Sequence, residues 1–233
     1  MQDQDITFAG ERLKLMAERV IHWPARSALL AADVHVGKDT TFRLSGISVP
    51  EAVVDADLMR LSSAIRRADV KVLFLLGDFQ HARLGMTGHT VEKIQRWREQ
   101  HSELQVKLIE GNHERSSGEV PGCWNFESCG DTIQVGPIAL RHHPPSTKRG
   151  VKPTICGHLH PAVRLFGRGG QSERLPCFYL ERNLLVLPAF GRFTGSSTID
   201  SSKASAVYAV TEEAVIKFQD RELEQEQGTG AKS

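Results

Sequence analysis

Ser27-Ala28-Leu29-Leu30-Ala31-Ala32-Asp33-Val34-His35-Val36-Gly37 is an apolar run that breaks into a carboxylate, an imidazole and a glycine. Small and aliphatic residues without polar alternation mark a strand buried on both faces. Open α/β sheets bind their ligands just beyond the carboxyl ends of such strands. Asp33 and His35 stand at i and i+2, so an extended strand end directs both the same way.

The pattern repeats outward from there. Val70–Leu76 reads as a second strand and stops at Gly77-Asp78-Phe79-Gln80-His81. Val106-Lys107-Leu108-Ile109 stops at Glu110-Gly111-Asn112-His113-Glu114. Ile138-Ala139-Leu140-Arg141 stops at His142-His143-Pro144, and Thr154-Ile155-Cys156 at Gly157-His158-Leu159-His160. Between the first two strands Pro50 opens a helix with Val53, Val54, Leu58, Leu61 and Ile65 at helical spacing. A second helix is expected over 88–100, with Val91, Ile94 and Trp97 on one side. Residues 6–22 read as a strand pair leading in. Further strands are expected at 132–141, 153–156, 176–180, 184–187 and 205–210, and a loop or hairpin tip at 167–173. Strand–helix alternation in front and strands behind indicate an α/β fold.

The 233 residues suffice for one domain of this kind, expected over 1–218, with 219–233 as a flexible tail. No apolar run reaches the roughly 18 residues of a membrane helix, so no membrane partner is expected. The opening Met1-Gln2-Asp3-Gln4-Asp5 is acidic and lacks the form of a secretory signal, which points to the cytoplasm. Cys123, Cys129, Cys156 and Cys177 form no C-x-x-C pair and read as buried or incidental thiols.

Five strand ends bearing Asp, His and Asn converge on one crevice in such a sheet. Imidazole mixed with carboxylate suits manganese, iron, zinc, nickel or cobalt better than magnesium or calcium. A lone carboxylate on a central strand, Asp78, can bridge two cations, and two cations can clamp both oxygens of a phosphoryl displacement. Gly77, Gly111 and Gly157, each just before such a residue, permit tight turns and close backbone approach.

The series D-x-H, G-D-x-x-H, G-N-H-E, H-H, G-H-x-H, spread over residues 27–190, resembles the calcineurin-like metallophosphoesterase superfamily. The resemblance implies a two-sheet β-sandwich flanked by α-helices, four layers in the order α/β/β/α, around a dinuclear centre. By position, Asp33, His35 and His160 hold the first metal, Asp78 bridges, and Asn112, His158 and His142 hold the second. His142, first after its strand, is preferred to His143, which then faces phosphate. His113 matches the family histidine that stabilises the transition state or protonates the leaving group after attack by a metal-bridging hydroxide. The spacing from Asp78 to His81 resembles the nuclease branch, in which a second histidine faces the scissile phosphate. Trp23-Pro24, the run 29–38, Phe42-Arg43, the run 46–50 and Phe190-Gly191-Arg192-Phe193-Thr194-Gly195 resemble the ligase-associated DNA damage response endonucleases. Where that family commonly has Asp after G-N-H, this chain has Glu114. The group implies two divalent ions, manganese first, and a DNA substrate. It also implies functional association with a DNA ligase and a helicase, with a dimer as one option.

Charge speaks to the substrate only through its distribution. Net charge is +1, yet residues 141–192 carry nine basic against two acidic side chains, a net +7 that leaves −6 for the remainder. Arg141, Lys148, Arg149 and the Arg168 loop are the candidates to touch flanking phosphates. Trp124, Phe126 and Phe193 could stack on bases, but core packing is the expectation for them. The rival functions are a small-molecule phosphodiesterase or nucleotide pyrophosphatase on the same centre and, further off, a metal-free scaffold.

Overall fold

The apolar runs pair into two mixed sheets that pack face to face. The computed structural model describes residues 1–49, 52–146, 152–166 and 171–218. Pro50, Lys148, Arg149, Arg168 and the tail 219–233 lie outside the described residues. The first sheet runs in chain order: β1 (Gln4–Phe8), β2 (Glu11–Met16), β3 (Val20–Trp23), β4 (Ala28–Ala31), β5 (Val72–Leu76), β6 (Gln105–Ile109) and β7 (Glu127–Ser128). Strands β1 to β4 are antiparallel neighbours, and β4 to β7 are parallel. Helices α1 (Lys38–Leu44), α2 (Ala52–Ala68), α3 (Gly88–Gln100) and α4 (Asn112–Ser117) lie between these strands in sequence.

The second sheet takes β8 (Thr132–Val135), β9 (Ile138–Arg141), β10 (Thr154–Cys156), β11 (Pro161–Phe166), β12 (Ser172–Glu181), β13 (Leu184–Val186), β14 (Ser197–Thr198), β15 (Ala206–Val210) and β16 (Val215–Phe218). Its spatial order is β14-β11-β12-β13-β10-β9-β8, with β15 on β12 and β16 on β15. Strands β9, β10 and β13 are parallel, so their carboxyl ends share an edge.

Side-chain alternation explains the layers. Ala28 and Leu30 of β4, Phe74 and Leu76 of β5, and Ile109 of β6 face the second sheet, meeting Leu140, Ile155, Phe178 and Leu185. Leu29, Ala31, Leu73, Leu75, Val106 and Leu108 face the other way, onto Leu58, Leu61 and Ile65 of α2 and Ile94 and Trp97 of α3. Burial on both faces is why β4 to β6 lack polar alternation. The outer face of the second sheet closes over a smaller cluster of Cys156, Val163, Cys177, Tyr179 and Val186, with Ile199, Ala204 and Phe218 against it. The four cysteines are free thiols. No helix among the described residues is long and apolar enough to cross a membrane.

The two-sheet sandwich with flanking helices is the architecture found. Two local expectations are corrected. Residues 6–22 belong to a three-strand meander, because Ala9-Gly10 (φ +52° and +79°) makes a tight turn between β1 and β2. Helix α1 was not expected. It is seven residues long with Asp39 as its one buried residue, so it carries no apolar stripe to read. It is held instead by the Asp39–Arg43 ion pair at 2.9 Å and by Thr41 Oγ1 donating to the Gly37 carbonyl.

Candidate metal centre

Parallel pairing brings the polar strand ends together. Asp33 N–H donates to the Gly77 carbonyl (3.2 Å) and His35 N–H to the Asp78 carbonyl (2.9 Å), so the segments after β4 and β5 run side by side. In the second sheet Gly157 N–H donates to the His142 carbonyl at 3.1 Å. The loop after β13 joins the two sheets here: Phe190 N–H donates to the Ala32 carbonyl and Gly191 N–H to the Asp33 carbonyl.

Asp33, His35, Asp78, His158 and His160 all have left-handed backbones, with φ of +56°, +53°, +51°, +71° and +45°. The i, i+2 pairs therefore do not leave an extended strand, as their spacing had suggested. Two left-handed residues flanking one neighbour aim each pair. Such positions cost about 1–2 kcal/mol each and collect at functional sites. Of the three glycines, Gly77 and Gly111 show the close approach most plainly. A Cβ on Gly77 would stand 2.4 Å from the His142 ring, and one on Gly111 2.3 Å from Asp78 Oδ1.

Hydrogen bonding settles where the lone pairs point. His160 Nδ1 lies 3.0 Å from the Gly195 carbonyl, which can only accept, so Nδ1 carries the proton. Its Nε2 then turns a lone pair toward Asp33 Oδ1, 3.1 Å away. Among the described residues that carboxylate oxygen is buried with no hydrogen-bond partner, and so are both ring nitrogens of His35. Burial, against the opposing pull of Asp78, holds His35 at about 2, hence neutral. Asp33, His35 and His160 bring one donor atom each within 4.8 Å of one another.

The other half is held by hydrogen bonds. His142 Nδ1 donates to the Leu76 carbonyl at 2.8 Å. Its Nε2 faces Asn112 Oδ1 (3.2 Å), His158 Nδ1 (3.2 Å) and Asp78 Oδ2 (3.4 Å). Burial works against the Asp78 carboxylate, but the bond from His142, its charge and the His113 N–H outweigh it and hold Asp78 at about 2. Asp33, Asp78 and His142 form a further grouping that links the halves. The Asp33 oxygen and the two His35 nitrogens, buried without a partner among the described residues, are costly to keep from water unless something positive stands among them. The donor set thus fits divalent cations.

His113 and His81 sit on the rim. His113 N–H donates to Asp78 Oδ1 at 2.9 Å, its Nδ1 bonds the His81 carbonyl, and its Nε2 faces Asp78 Oδ2 at 3.8 Å. The His81 and His113 rings stack at 5.0 Å, and burial with Lys38 and His113 nearby pushes His81 down to about 4. His143 packs its ring on His142 and His158 at 4.6 and 4.2 Å. Arg141 closes β9, and its Nε is buried and unbonded among the described residues. Trp124 is buried and Phe126 packs on the core, as expected, whereas Phe193 is exposed.

Two supports stand behind the ligands, and of these the sequence marks Glu114, directly after G-N-H, but not Gly195. Glu114 accepts from the backbone N–H groups of Asp78 (2.8 Å), Gly111 (3.0 Å) and Gln80 (3.1 Å), tying the second strand end to the third. Burial raises its pKa despite those three bonds. A glutamate after G-N-H was the available signal. Gly195, whose carbonyl orients His160, offered no signal beyond its place in the 190–195 run.

No family model and no curated protein matches the sequence. Among solved structures, the nuclease MPE of Pseudomonas putida is 36% identical and covers 93% of this chain and 100% of its own, with a TM-score of 0.80. The chain belongs to the metallophosphoesterase family. As a metallophosphoesterase it is a phosphoester-cleaving enzyme. A phosphoesterase from E. coli, Yfce, covers 81% of this metallophosphoesterase and 96% of its own chain at 12% identity, with a TM-score of 0.42, too remote to weigh.

Proposed function

We propose that this metallophosphoesterase is a two-metal phosphodiesterase that cuts DNA internally. The observation that carries the reading is the convergence of Asp and His side chains from the strand ends on Asp33 and Asp78, with Asp33 Oδ1 and both His35 nitrogens buried and without a hydrogen-bond partner among the described residues. In this reading Asp33, His35 and His160 hold one cation, Asn112, His142 and His158 the other, and Asp78 both. Manganese is the first choice, because the mixed imidazole and oxygen donors favour a borderline ion. Bound there, two cations supply an activated water and a clamp on the phosphate oxygens. The nuclease relative supports a nucleic-acid substrate.

The chain's own side chains do the rest. The Leu76 and Gly195 carbonyls fix the tautomers of His142 and His160, so that each offers Nε2 inward. His142, with its Nε2 among Asp78, Asn112 and His158, is the ligand, and His143 faces phosphate. His113, its Nδ1–H held by the His81 carbonyl, presents Nε2 to the centre and, when protonated there, donates to the departing oxyanion. His81, stacked on that ring, faces the scissile phosphate. Arg141, Lys148 and Arg149 take flanking phosphates. The resemblance to the ligase-associated DNA damage response endonucleases supports a place in cytoplasmic repair beside a ligase and a helicase.

The test is manganese-dependent cleavage of circular single-stranded DNA, with Asp78→Asn as control and a small phosphodiester in parallel. Linearisation by the wild type, reduced about a thousandfold in the variant, is expected. Intact circles alongside metal-dependent hydrolysis of the small ester would retain the centre and refute DNA as its target. Metal analysis is expected to find about two ions per chain.

A further inference from the structure

Two side chains beside this centre have no part in it and no other evident role. Lys38 is the first residue after the Asp33–Gly37 segment. Among the described residues its ammonium enters no ion pair, and it stands over the face of the Phe42 ring, 5.9 Å from the centroid. Burial lowers its pKa, opposed by Asp33. Lys38 lines the same small pocket as His35, at the rim of the centre. A half-buried, unpaired lysine is costly to keep, and phosphate is the natural counter-charge beside a phosphoesterase centre.

Phe193 is 42% exposed and belongs to none of the three apolar clusters. Its loop is nonetheless pinned on every side. Phe190 is buried under the Arg60 guanidinium, 4.3 Å from its ring centroid, and Arg60 donates to the Phe190 carbonyl. Arg192 N–H donates to Asp57 Oδ2 at 3.2 Å, Gly191 N–H to the Asp33 carbonyl, and Gly195 accepts from His160. A rigid loop therefore holds an aromatic ring in water two residues from the carbonyl that orients His160. Lys38, Phe193 and His35 line one small pocket, together with Thr194, whose Oγ1 is buried and unbonded.

We infer that Lys38 and Phe193 grip the nucleotide adjoining the scissile phosphate, Lys38 through a phosphate oxygen and Phe193 by stacking on the base. The inference rests on the nuclease reading above. Stacking on an exposed ring tolerates any base, and a lysine contact carries no sequence information, so the grip selects polymer over small ester without selecting sequence.

The test compares kcat/KM on a single-stranded oligonucleotide with kcat/KM on bis-p-nitrophenyl phosphate, which has no adjoining nucleotide. The ratio is expected to fall at least tenfold in Lys38→Gln and in Phe193→Ala, through KM for the oligonucleotide. Phe193→Trp is expected to restore it. Lys38→Gln is expected also to flatten the salt dependence of the oligonucleotide KM by about one phosphate contact. Thermal unfolding and metal content of each variant guard against a folding defect. A ratio within twofold of wild type in both variants overturns the grip and leaves the nuclease reading standing. A wild type that hydrolyses the small ester but no nucleic acid overturns both.

Discussion

The two halves of the ligand cluster are made of the same residue types but are held differently. On the Asp78 side, His142 is clamped at both nitrogens, by the Leu76 carbonyl and by its contacts with Asn112 and His158. On the Asp33 side, both nitrogens of His35 and one oxygen of Asp33 are buried without partners. The first half is assembled by the fold alone. The second carries a desolvation cost that only a bound ion relieves. The contrast teaches that hydrogen-bond satisfaction separates groups that build a site from groups that wait for its occupant.

The largest test of this contrast acts through the backbone. Gly77→Ala puts a side chain into a left-handed position and against the His142 ring. It is expected to destabilise the protein by about 3 kcal/mol in urea unfolding and to remove metal from the Asp78 side. Loss of less than 1 kcal/mol would mean that the His142 clamp is not rigid.

Next come two substitutions of opposite sign in metal-free protein. His142→Leu leaves the Leu76 carbonyl buried and unpartnered and is expected to cost about 2 kcal/mol. His35→Leu removes an unpartnered imidazole and is expected to stabilise by about 1 kcal/mol, while lowering bound metal. Equal signs would break the comparison.

The pH dependence sharpens it further. His35 is held near 2 in the folded state, well below its ordinary value. As pH falls below about 6.5, the unfolded chain binds a proton that folded His35 refuses. Metal-free stability should then drop by about 1.4 kcal/mol per pH unit from this group. His142 runs the other way: burial opposes its charge, but Asp78 and Asp33 raise its pKa. Its contribution is complete below about pH 6.5 and is lost as pH rises through the folded value. Asp78, held near 2, matters only below about pH 4. Urea titrations in chelator should show His35→Leu flattening the acid limb and His142→Leu the neutral one.

The smallest effect is expected at Glu114, which ties the Asp78 segment to Gly111. Glu114→Gln keeps the shape and loses charge-assisted acceptance, costing about 1 kcal/mol and a few-fold in activity.

Much of this was legible because it is local. The buried strands β4, β5 and β6 announced themselves by unbroken apolar runs, and α3 matched its expected bounds. Helix α1 and the β1–β2 turn were not legible, because neither an apolar stripe nor a recognised turn pair marks them. The i, i+2 pairing of Asp33 with His35 was read correctly as a pair and wrongly as a strand geometry. Nothing in the spacing distinguishes an extended end from two left-handed residues.

The sequence by itself determined which residue types stand at each strand end and therefore that they meet along one edge, since parallel pairing aligns strand ends whatever the loops do. Only the tertiary structure decided what those residues can do on meeting. The proton on His142 is placed by a carbonyl 66 residues away, and that on His160 by one 35 residues away. A lone pair's direction depends on such distant partners, and so does the exposure of Phe193, which apolar character alone assigned to the core.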